Sequence, residues 1–339
     1  RGQGAYLMDS WGRQFLDTVN NVAHVGHEHP RVVAAGQAQM AVLNTNTRYL
    51  HKTIIDYADE LRNTLPKKLE VMYFVNSGSE ANELALRMVR AATGSPHMLA
   101  IEMGYHGNTN AVIDVSSYKF DRKGGGGAPA HTHLIPVPDT FRGKHREDDV
   151  AEAYSSYGRE QIAALERQGY TLGGFIHESI LSCAGQIDPP QGYLQMVYDE
   201  VHKAGGICIA DEVQTGFGRV GSHFWAFERA GIQPDIVTMG KPAGNGHPLG
   251  ILACTREVAE AFANGMEFFN TFGGNPVSCA IGMEVLRVIK DEELQANALS
   301  TGEFLKHGLR EMATDFPIIS DVRGSGLFLG VELTDGDLN

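Results

Sequence analysis

From Val71 onward, short apolar runs alternate with stretches whose apolar residues recur at helical spacing. The runs are Val71 to Val75, Met98 to Glu102, Leu134 to Val137, Gly174 to His177, Gly206 to Ala210, Ile236 to Met239 and Leu249 to Thr255. Their alternation with helical patterns predicts an α/β fold, a mostly parallel central sheet with helices on both faces. Ahead of the sheet, Ala5 to Asp9 and Arg13 to Asp17 flank the turn Ser10 to Gly12 and read as a polar hairpin, and Pro30 to about Leu43 reads as a helix. After Pro276 a helix through Ile289 leads into a smaller α+β unit, with a helix from about Glu292 to Thr314 and strands at Ile318 to Val322 and Leu327 to Leu333. We therefore expect an N-terminal arm with a segment of the small domain (1–45), a large domain (46–282) and the beginning of a C-terminal small domain (283–339). A first residue other than Met, and a small unit that stops at Asn339, lead us to expect either a trimmed chain or an incomplete protein.

The 339 residues are 42% hydrophobic and 20% charged, with 28 Lys and Arg against 41 Asp and Glu and a formal net charge of −13. That balance disfavours nucleic acid and anionic membranes as partners but permits a local cationic pocket. No run approaches the roughly 18 apolar residues of a membrane span, and Arg1 to Gly4 is no signal peptide. Cys183, Cys208, Cys254 and Cys279 show no CxxC pairing and mostly lie in apolar runs, which fits free thiols in a reducing cytoplasm. His24, His27 and His29 crowd the segment Asn20 to Pro30, but zinc spacing on a helix is not met, so we expect no metal. The glycines Gly124 to Gly127 read as a surface loop, because no strand leads into them and no helix follows.

In sheets of this kind ligands sit at the carboxyl ends of strands, so the residues that follow the runs carry the chemistry. Ile236 to Met239 ends in Gly240-Lys241-Pro242. Pro242 biases Lys241 toward an extended backbone and Gly240 permits a close approach, which would stand a long amine at the end of a buried strand. Ser77, Gly78 and Ser79 open a helical pattern, with Ser77 and Glu80 spaced as a capping box. Free amides, hydroxyls and the positive helix end suit a phosphate, although a merely well-capped helix uses the same residues. Asp211 and Glu212 end a buried strand, and a carboxylate at that depth needs a cationic partner. A protonated pyridine nitrogen would serve, with Gln214 reaching a ring hydroxyl. A buried ion pair or a magnesium carboxylate would also serve, but neither accounts for Lys241. Tyr105, before His106, offers a face for a planar ring. Glu267 to Pro276, with Thr271, suits a second phosphate contact. Lysine, carboxylate, aromatic face and phosphate cradle together are what pyridoxal phosphate requires.

The chain resembles the class III aminotransferases of fold type I through Asn76 to Asn82, Tyr105-His106-Gly107, Ala210 to Gly216 and Gly240-Lys241, over nearly its full length. The resemblance implies pyridoxal 5'-phosphate as cofactor, bound covalently by Lys241, which also serves as base, with Asp211 on the ring nitrogen and Tyr105 stacked on the ring. It places Ser77, Gly78 and Ser79 at the cofactor phosphate, and His106, Glu178 and Gln214 among the cofactor contacts. Thr271 would reach the neighbouring subunit's site, so a homodimer with shared sites is implied. Asn20 to His27, Leu43 to His51, Pro138 to Lys144, Gly240 to Pro248 and Gly273 to Ala280 resemble most the members that eliminate phosphate from phosphoethanolamine, giving acetaldehyde, ammonia and phosphate.

A small phosphorylated amine lacks a carboxylate, so a cationic clamp must hold its phosphate, and an arginine fork suits that task. Arg48 is the candidate, with Asn21 and, more weakly, Arg142 or Lys144 beside it. One alternative is an omega-aminotransferase moving an amino group to a 2-oxo acid. Another, of a different class, is a non-catalytic cofactor-binding subunit, against which the retention of Lys241 and Asp211 argues. Members of the family continue for roughly a hundred residues further, within the size of an ordinary domain.

Overall fold

Three short strands, β1 (Gly2–Gln3), β2 (Tyr6–Met8) and β3 (Gln14–Leu16), make a small antiparallel sheet that contains the expected hairpin. The central sheet comprises β4 (Val71–Val75), β5 (Met98–Ile101), β6 (Thr132–Ile135), β7 (Gly174–Glu178), β8 (Ile207–Asp211), β9 (Ile236–Met239) and β10 (Gly250–Cys254), in the spatial order β4-β10-β9-β8-β7-β5-β6. The computed structural model describes residues 1–334. A final antiparallel ribbon, β11 (Ile319–Ser325) with β12 (Phe328–Leu333), belongs to the C-terminal unit.

Six of the seven central strands run in one direction, and β10 runs antiparallel to both of its neighbours, β9 and β4. Every residue of β5, β7, β8, β9 and β10 is buried, the pattern of strands covered on both faces. The strand expected at Leu134 to Val137 lies two residues earlier. Pro136 and Pro138 have no N–H to donate and end it, while the Thr132 hydroxyl donates to Asp114 O at 2.7 Å and satisfies its polar start.

The helices are α1 (Pro30–Met40), α2 (Lys52–Arg62), α3 (Gly78–Thr93), α4 (Asn110–Ile113), α5 (Ser117–Phe120), α6 (Val150–Arg167), α7 (Tyr193–Lys203), α8 (Arg256–Phe262), α9 (Pro276–Asp291) and α10 (Leu294–Asp315). One sheet face packs against the apolar sides of α3 and α8 through Leu84, Met88, Val258 and Phe262. The other face carries a larger core with Tyr57 of α2, Leu165 of α6, Val197 of α7 and Val285 of α9. Helix α1 lies on α9, where Arg31 bonds Glu284 at 2.6 Å and Asp291 at 2.9 Å. Among the described residues no helix is long and apolar enough to cross a membrane. This arrangement brings the carboxyl ends of β4, β5, β7, β8 and β9 to one edge of the sheet.

Candidate active site

A cavity of about 300 Å³ opens at that edge. Ser77, Gly78 and Ser79 line it after β4, Tyr105, His106 and Gly107 after β5, Glu178 at the end of β7, Asp211, Val213 and Gln214 at β8, and Lys241 after β9. Val22 and the turn Gly246 to Leu249 complete the wall. The resemblance thus named residues spread over the chain that the sheet does gather into one pocket.

Lys241 stands at the end of a buried strand, as expected, but its backbone is not extended. Its φ is 27°, and it begins a single tight turn, Lys241–Gly244, closed by a 2.9 Å bond from Ala243 N to Gly240 O. The turn reverses the chain so that β10 can pair antiparallel with β9, and that requirement overrides the preference imposed by Pro242. A left-handed non-glycine costs about 1–3 kcal/mol and persists where its surroundings over-determine it. Gly240 gives the close approach: a Cβ there would sit 3.2 Å from both Gly78 N and Val213 Cγ1.

Asp211 is 5% exposed, and three donors hold its carboxylate. Asn82 Nδ2 and His106 Nδ1 each donate to Oδ2 at 2.8 Å, and Val213 N donates to Oδ1 at 3.1 Å. Because a carboxylate only accepts, His106 carries its proton on Nδ1. Asn82 is itself fixed: its second amide hydrogen goes to His106 O at 2.8 Å, and its Oδ1 accepts from Thr238 Oγ1 at 2.7 Å. An ionised carboxylate has about four lone-pair sites, so one remains for a cationic N–H in the cavity. The sequence reading gave no role to Asn82 or Thr238. Asn82 lies inside the Asn76 to Asn82 motif, whose sequence points to a helix start and a phosphate site but not to this bond.

The helix start expected as a phosphate cradle differs from the predicted capping box in one bond. Ser77 caps α3, its Oγ accepting from Glu80 N at 3.1 Å, but the Glu80 carboxylate reaches Asn76 N at 2.9 Å rather than completing the box on Ser77. The first N–H groups of a helix have no partner within it, and Gly78 and Ser79 are the first two residues of α3. Gly78 has no room for a side chain, since a Cβ would lie 2.9 Å from both Val213 methyl groups. Ser79 Oγ accepts from Asn108 N at 3.1 Å, tying the cradle to the loop that carries Tyr105. The Tyr105 ring meets Tyr118 edge-on at 5.9 Å, its hydroxyl accepts from Asn108 Nδ2 at 3.0 Å, and burial raises its pKa.

Glu178 is 4% exposed and pairs in register with Asp211 across the parallel strands. Its Oε1 accepts from Ser182 Oγ at 2.5 Å, whereas Oε2 is buried without a partner. Burial raises Glu178 to about 7, with the Asp211 charge adding to that rise and His106, Ser182 and Lys241 opposing it. Gln214 was expected to reach a ring hydroxyl. Its Nε2 instead donates to Ser182 Oγ at 2.6 Å and weakly to Glu178 Oε1 at 3.4 Å, and its Oε1 accepts from Asn21 Nδ2 at 2.6 Å. Glu212, fully buried, turns away from the cavity and accepts from Ser179 Oγ, Thr215 Oγ1, Ala226 N and Phe227 N.

The histidine-rich segment at the start of the chain serves as a clamp. His24 Nε2 donates to Phe217 O at 2.7 Å, His27 bonds Asp17 at 2.7 Å and His29 bonds Glu292 at 3.0 Å, three separate partners that do not converge. Asn245 receives Val25 N and donates to Gly26 O, each at 2.9 Å, which pins the segment beside the cavity.

Arg48 and Thr271 do not line the cavity of this chain. Both are exposed, and the Arg48 guanidinium lies 4.4 Å over the Phe269 ring, in the loop that also carries Thr271. Arg142 pairs with Glu332 at 2.7 Å, and Lys144 Nζ donates to the Tyr157 hydroxyl at 2.8 Å. His247, which lies in the Gly240 to Pro248 segment but has no role assigned from the sequence, lines the cavity and bonds Ser278 Oγ at 2.8 Å.

These residues fit pyridoxal 5'-phosphate: an uncommitted lone-pair site on a buried carboxylate, free amides where a side chain has no space, and an amine in the same cavity. Comparison with known proteins agrees. The family described as aminotransferase class III matches residues 1–338. A Drosophila melanogaster relative named alanine–glyoxylate aminotransferase 2-like is 49% identical, covering 98% of this chain and 69% of its own. The ethanolamine-phosphate phospho-lyase homolog 1 of Caenorhabditis elegans is 41% identical over 98% of this chain and 74% of its own. The structure of an Arthrobacter phospholyase in complex with phosphoethanolamine is 38% identical, with a TM-score of 0.94 over 99% of this chain and 79% of that one. The chain belongs to the class III aminotransferase family of fold type I, whose cofactor is pyridoxal 5'-phosphate.

Proposed function

We propose that this protein eliminates phosphate from phosphoethanolamine, giving acetaldehyde, ammonia and inorganic phosphate. The observation that carries this reading is the likeness, at a TM-score of 0.94 and 38% identity, to a phospholyase holding phosphoethanolamine. When bound, pyridoxal phosphate supplies an electron sink for the carbon that bears the amine. Lys241 takes the proton from that carbon as general base. Asp211, whose carboxylate accepts from Asn82, His106 and Val213, would hold the protonated ring nitrogen. Ser77, Gly78 and Ser79 would hold the cofactor phosphate, and Tyr105 would cover the ring. The C–O bond to the substrate phosphate then breaks in place of reprotonation, and the released enamine hydrolyses to acetaldehyde and ammonia.

In this reading the protein works as a cytoplasmic homodimer with shared sites. Arg48 and Thr271 lie outside their own chain's cavity, among exposed apolar neighbours such as Leu50, at 97%, and Phe272, at 70%. A second copy that covers these residues would place Thr271 near the cofactor phosphate and Arg48 near the substrate phosphate of the partner. Four free thiols suit a reducing compartment.

A second reading is transfer of an amino group from an amine donor to a 2-oxo acid, favoured by the 49% identity to a relative named as an alanine–glyoxylate aminotransferase 2-like protein. Parallel assays separate the two. Phosphoethanolamine alone should be turned over much faster than alanine with glyoxylate; the reverse order would support the aminotransferase.

A further inference from the structure

Among the described residues, one group of His, Cys, Asp or Glu side chains, formed by His202, Cys208 and Asp235, brings three ligand atoms within 4.8 Å of one another. His202 stands in the last turn of α7, Cys208 is the second residue of β8, and Asp235 immediately precedes β9. Because β8 and β9 pair in parallel with Ile209 opposite Ile236, Asp235 falls beside Cys208. The three meet at the amino ends of these strands, whereas Asp211 and Lys241 lie at the carboxyl ends. Cys208 and Asp211 are three strand residues apart, about 10 Å, and none of the three residues lines the cofactor cavity.

The Asp235 carboxylate uses its two oxygens differently. Oδ1 faces Lys68 Nζ at 3.7 Å, while Oδ2 accepts from Cys208 N at 2.9 Å and bonds His202 Nε2 at 2.8 Å. A metal ion in place of the proton between Nε2 and Oδ2 would meet the Cys208 sulfur as well, with the ring proton moved to Nδ1. Metal bonds of about 2.0–2.2 Å at tetrahedral angles hold nitrogen and oxygen roughly 3.3 Å apart. His202 must therefore withdraw by roughly half an ångström, which its position permits: its side chain is 42% exposed at the end of a helix. Cys208 is fully buried and supplies the fixed ligand. Lys68 opposes a cation here, but its amine also donates to Gln233 O at 2.8 Å and keeps that partner if it leaves Oδ1.

We propose that His202, Cys208 and Asp235 bind a divalent ion of the zinc class, with water as the fourth ligand. One sulfur, one imidazole and one carboxylate suit zinc and its cobalt and cadmium substitutes, whereas magnesium and calcium take oxygen ligands. Burial and the Asp235 charge keep the Cys208 sulfur a thiol without metal, so the ion displaces its proton on binding. The bound ion ties the end of α7 to the starts of β8 and β9, and a ligand of the folded state alone stabilises that state. The inference is independent of the reaction at the cofactor cavity.

The test is equilibrium dialysis of the metal-stripped, full-length holoenzyme against zinc, with cobalt(II) absorption at wavelengths beyond the cofactor bands as the report on geometry. One zinc per chain, and the intense visible bands of a tetrahedral cobalt site, are the expected results, with the cofactor absorbance unchanged. Cadmium should give a thiolate charge-transfer band in the ultraviolet difference spectrum that Cys208→Ser lacks. Loss even of a group that merely supports a metal ligand costs about 10–100-fold in affinity, so His202→Ala and Cys208→Ser should each weaken zinc binding roughly tenfold or more. The rise in thermal midpoint on adding zinc should disappear in both. No zinc retained by the wild type, the weak bands of an octahedral cobalt site, or an affinity unchanged in His202→Ala would overturn the proposal. The wild-type cobalt spectrum and the exposed His202→Ala decide even if Cys208→Ser fails to fold. None of these readouts involves phosphate release, so failure of the lyase reading would leave them unaffected.

Discussion

Asn82 Nδ2 donates to Asp211 Oδ2 at 2.8 Å, so the helix that opens the phosphate cradle also holds the carboxylate at the end of β8. Thr238 Oγ1, on the next strand, fixes the orientation of that amide. Asn82→Ala removes one of three donors from a buried carboxylate and strands the Thr238 hydroxyl. Leaving a buried polar group unsatisfied costs about 1–3 kcal/mol. Titration of the apo-protein with pyridoxal phosphate should show affinity reduced roughly tenfold or more, since about 1.4 kcal/mol corresponds to a factor of ten. Unchanged affinity would remove Asn82 from the account.

Gly78 touches Val213 so closely that any side chain must displace it. Gly78→Ala should push the start of α3 away from the cavity floor, at a cost of about 1–3 kcal/mol for overpacking. Loss of cofactor during gel filtration should exceed what the fall in thermal stability accounts for. A variant that is less stable yet retains full cofactor occupancy would contradict the cradle.

Burial lifts both Glu178 and Glu212 to about 7. In the unfolded chain a glutamate titrates near its ordinary value of about 4.3. Between those values the folded protein binds more protons than the unfolded one, so stability falls as pH rises through this window. The contribution is greatest below the unfolded value and is lost by about pH 7. Buried His24 and His177, lowered to about 3 and about 4, act in the opposite sense up to their unfolded value of about 6.5, so the readout is a difference. In urea unfolding of the apo-protein from pH 5 to 8, the wild type should lose stability relative to Glu178→Gln as pH rises. A difference between wild type and Glu178→Gln that stays constant or rises over this range would contradict a raised Glu178.

Arg48 is proposed to bind substrate phosphate across a subunit boundary. Hydrogen bonds to charged groups contribute about 1.5–3 kcal/mol, so Arg48→Ala should raise KM for phosphoethanolamine by roughly ten- to a hundredfold. The cofactor spectrum should be unchanged. Mixing Arg48→Ala with Lys241→Ala subunits should restore partial activity if the sites are shared. No recovery in confirmed mixed dimers would place Arg48 outside the partner's site.

The sheet was legible because its central strands are buried on both faces and read as unbroken apolar runs. The site was legible where function sits directly after a run, as with Asp211 and Lys241. What escaped depends on partners distant in the sequence. Asn82 meets Asp211 across 129 positions and Thr238 across 156, so its motif alone points to a helix start and a phosphate site but to neither bond. Gln214 looked free to reach a ligand because Asn21, 193 positions earlier, is not visible as its partner in a linear reading. The direction of β10 and the left-handed Lys241 follow from one tight reversal, and a local preference of the residue before proline pointed the other way. Arg48 follows from the guanidinium fork that a phosphate calls for and Thr271 from its hydroxyl and glycine turn and the resemblance, yet both lie exposed, outside the cavity of this chain.

The central claim is elimination without an amino acceptor. The most direct measurement follows inorganic phosphate and acetaldehyde together from phosphoethanolamine, with no 2-oxo acid, while recording the cofactor absorbance. The account predicts continuous release of both products in equal amounts over many turnovers, with the cofactor returning to its starting form. A single conversion of the cofactor to its amine form, with no phosphate released until pyruvate is added, would contradict it.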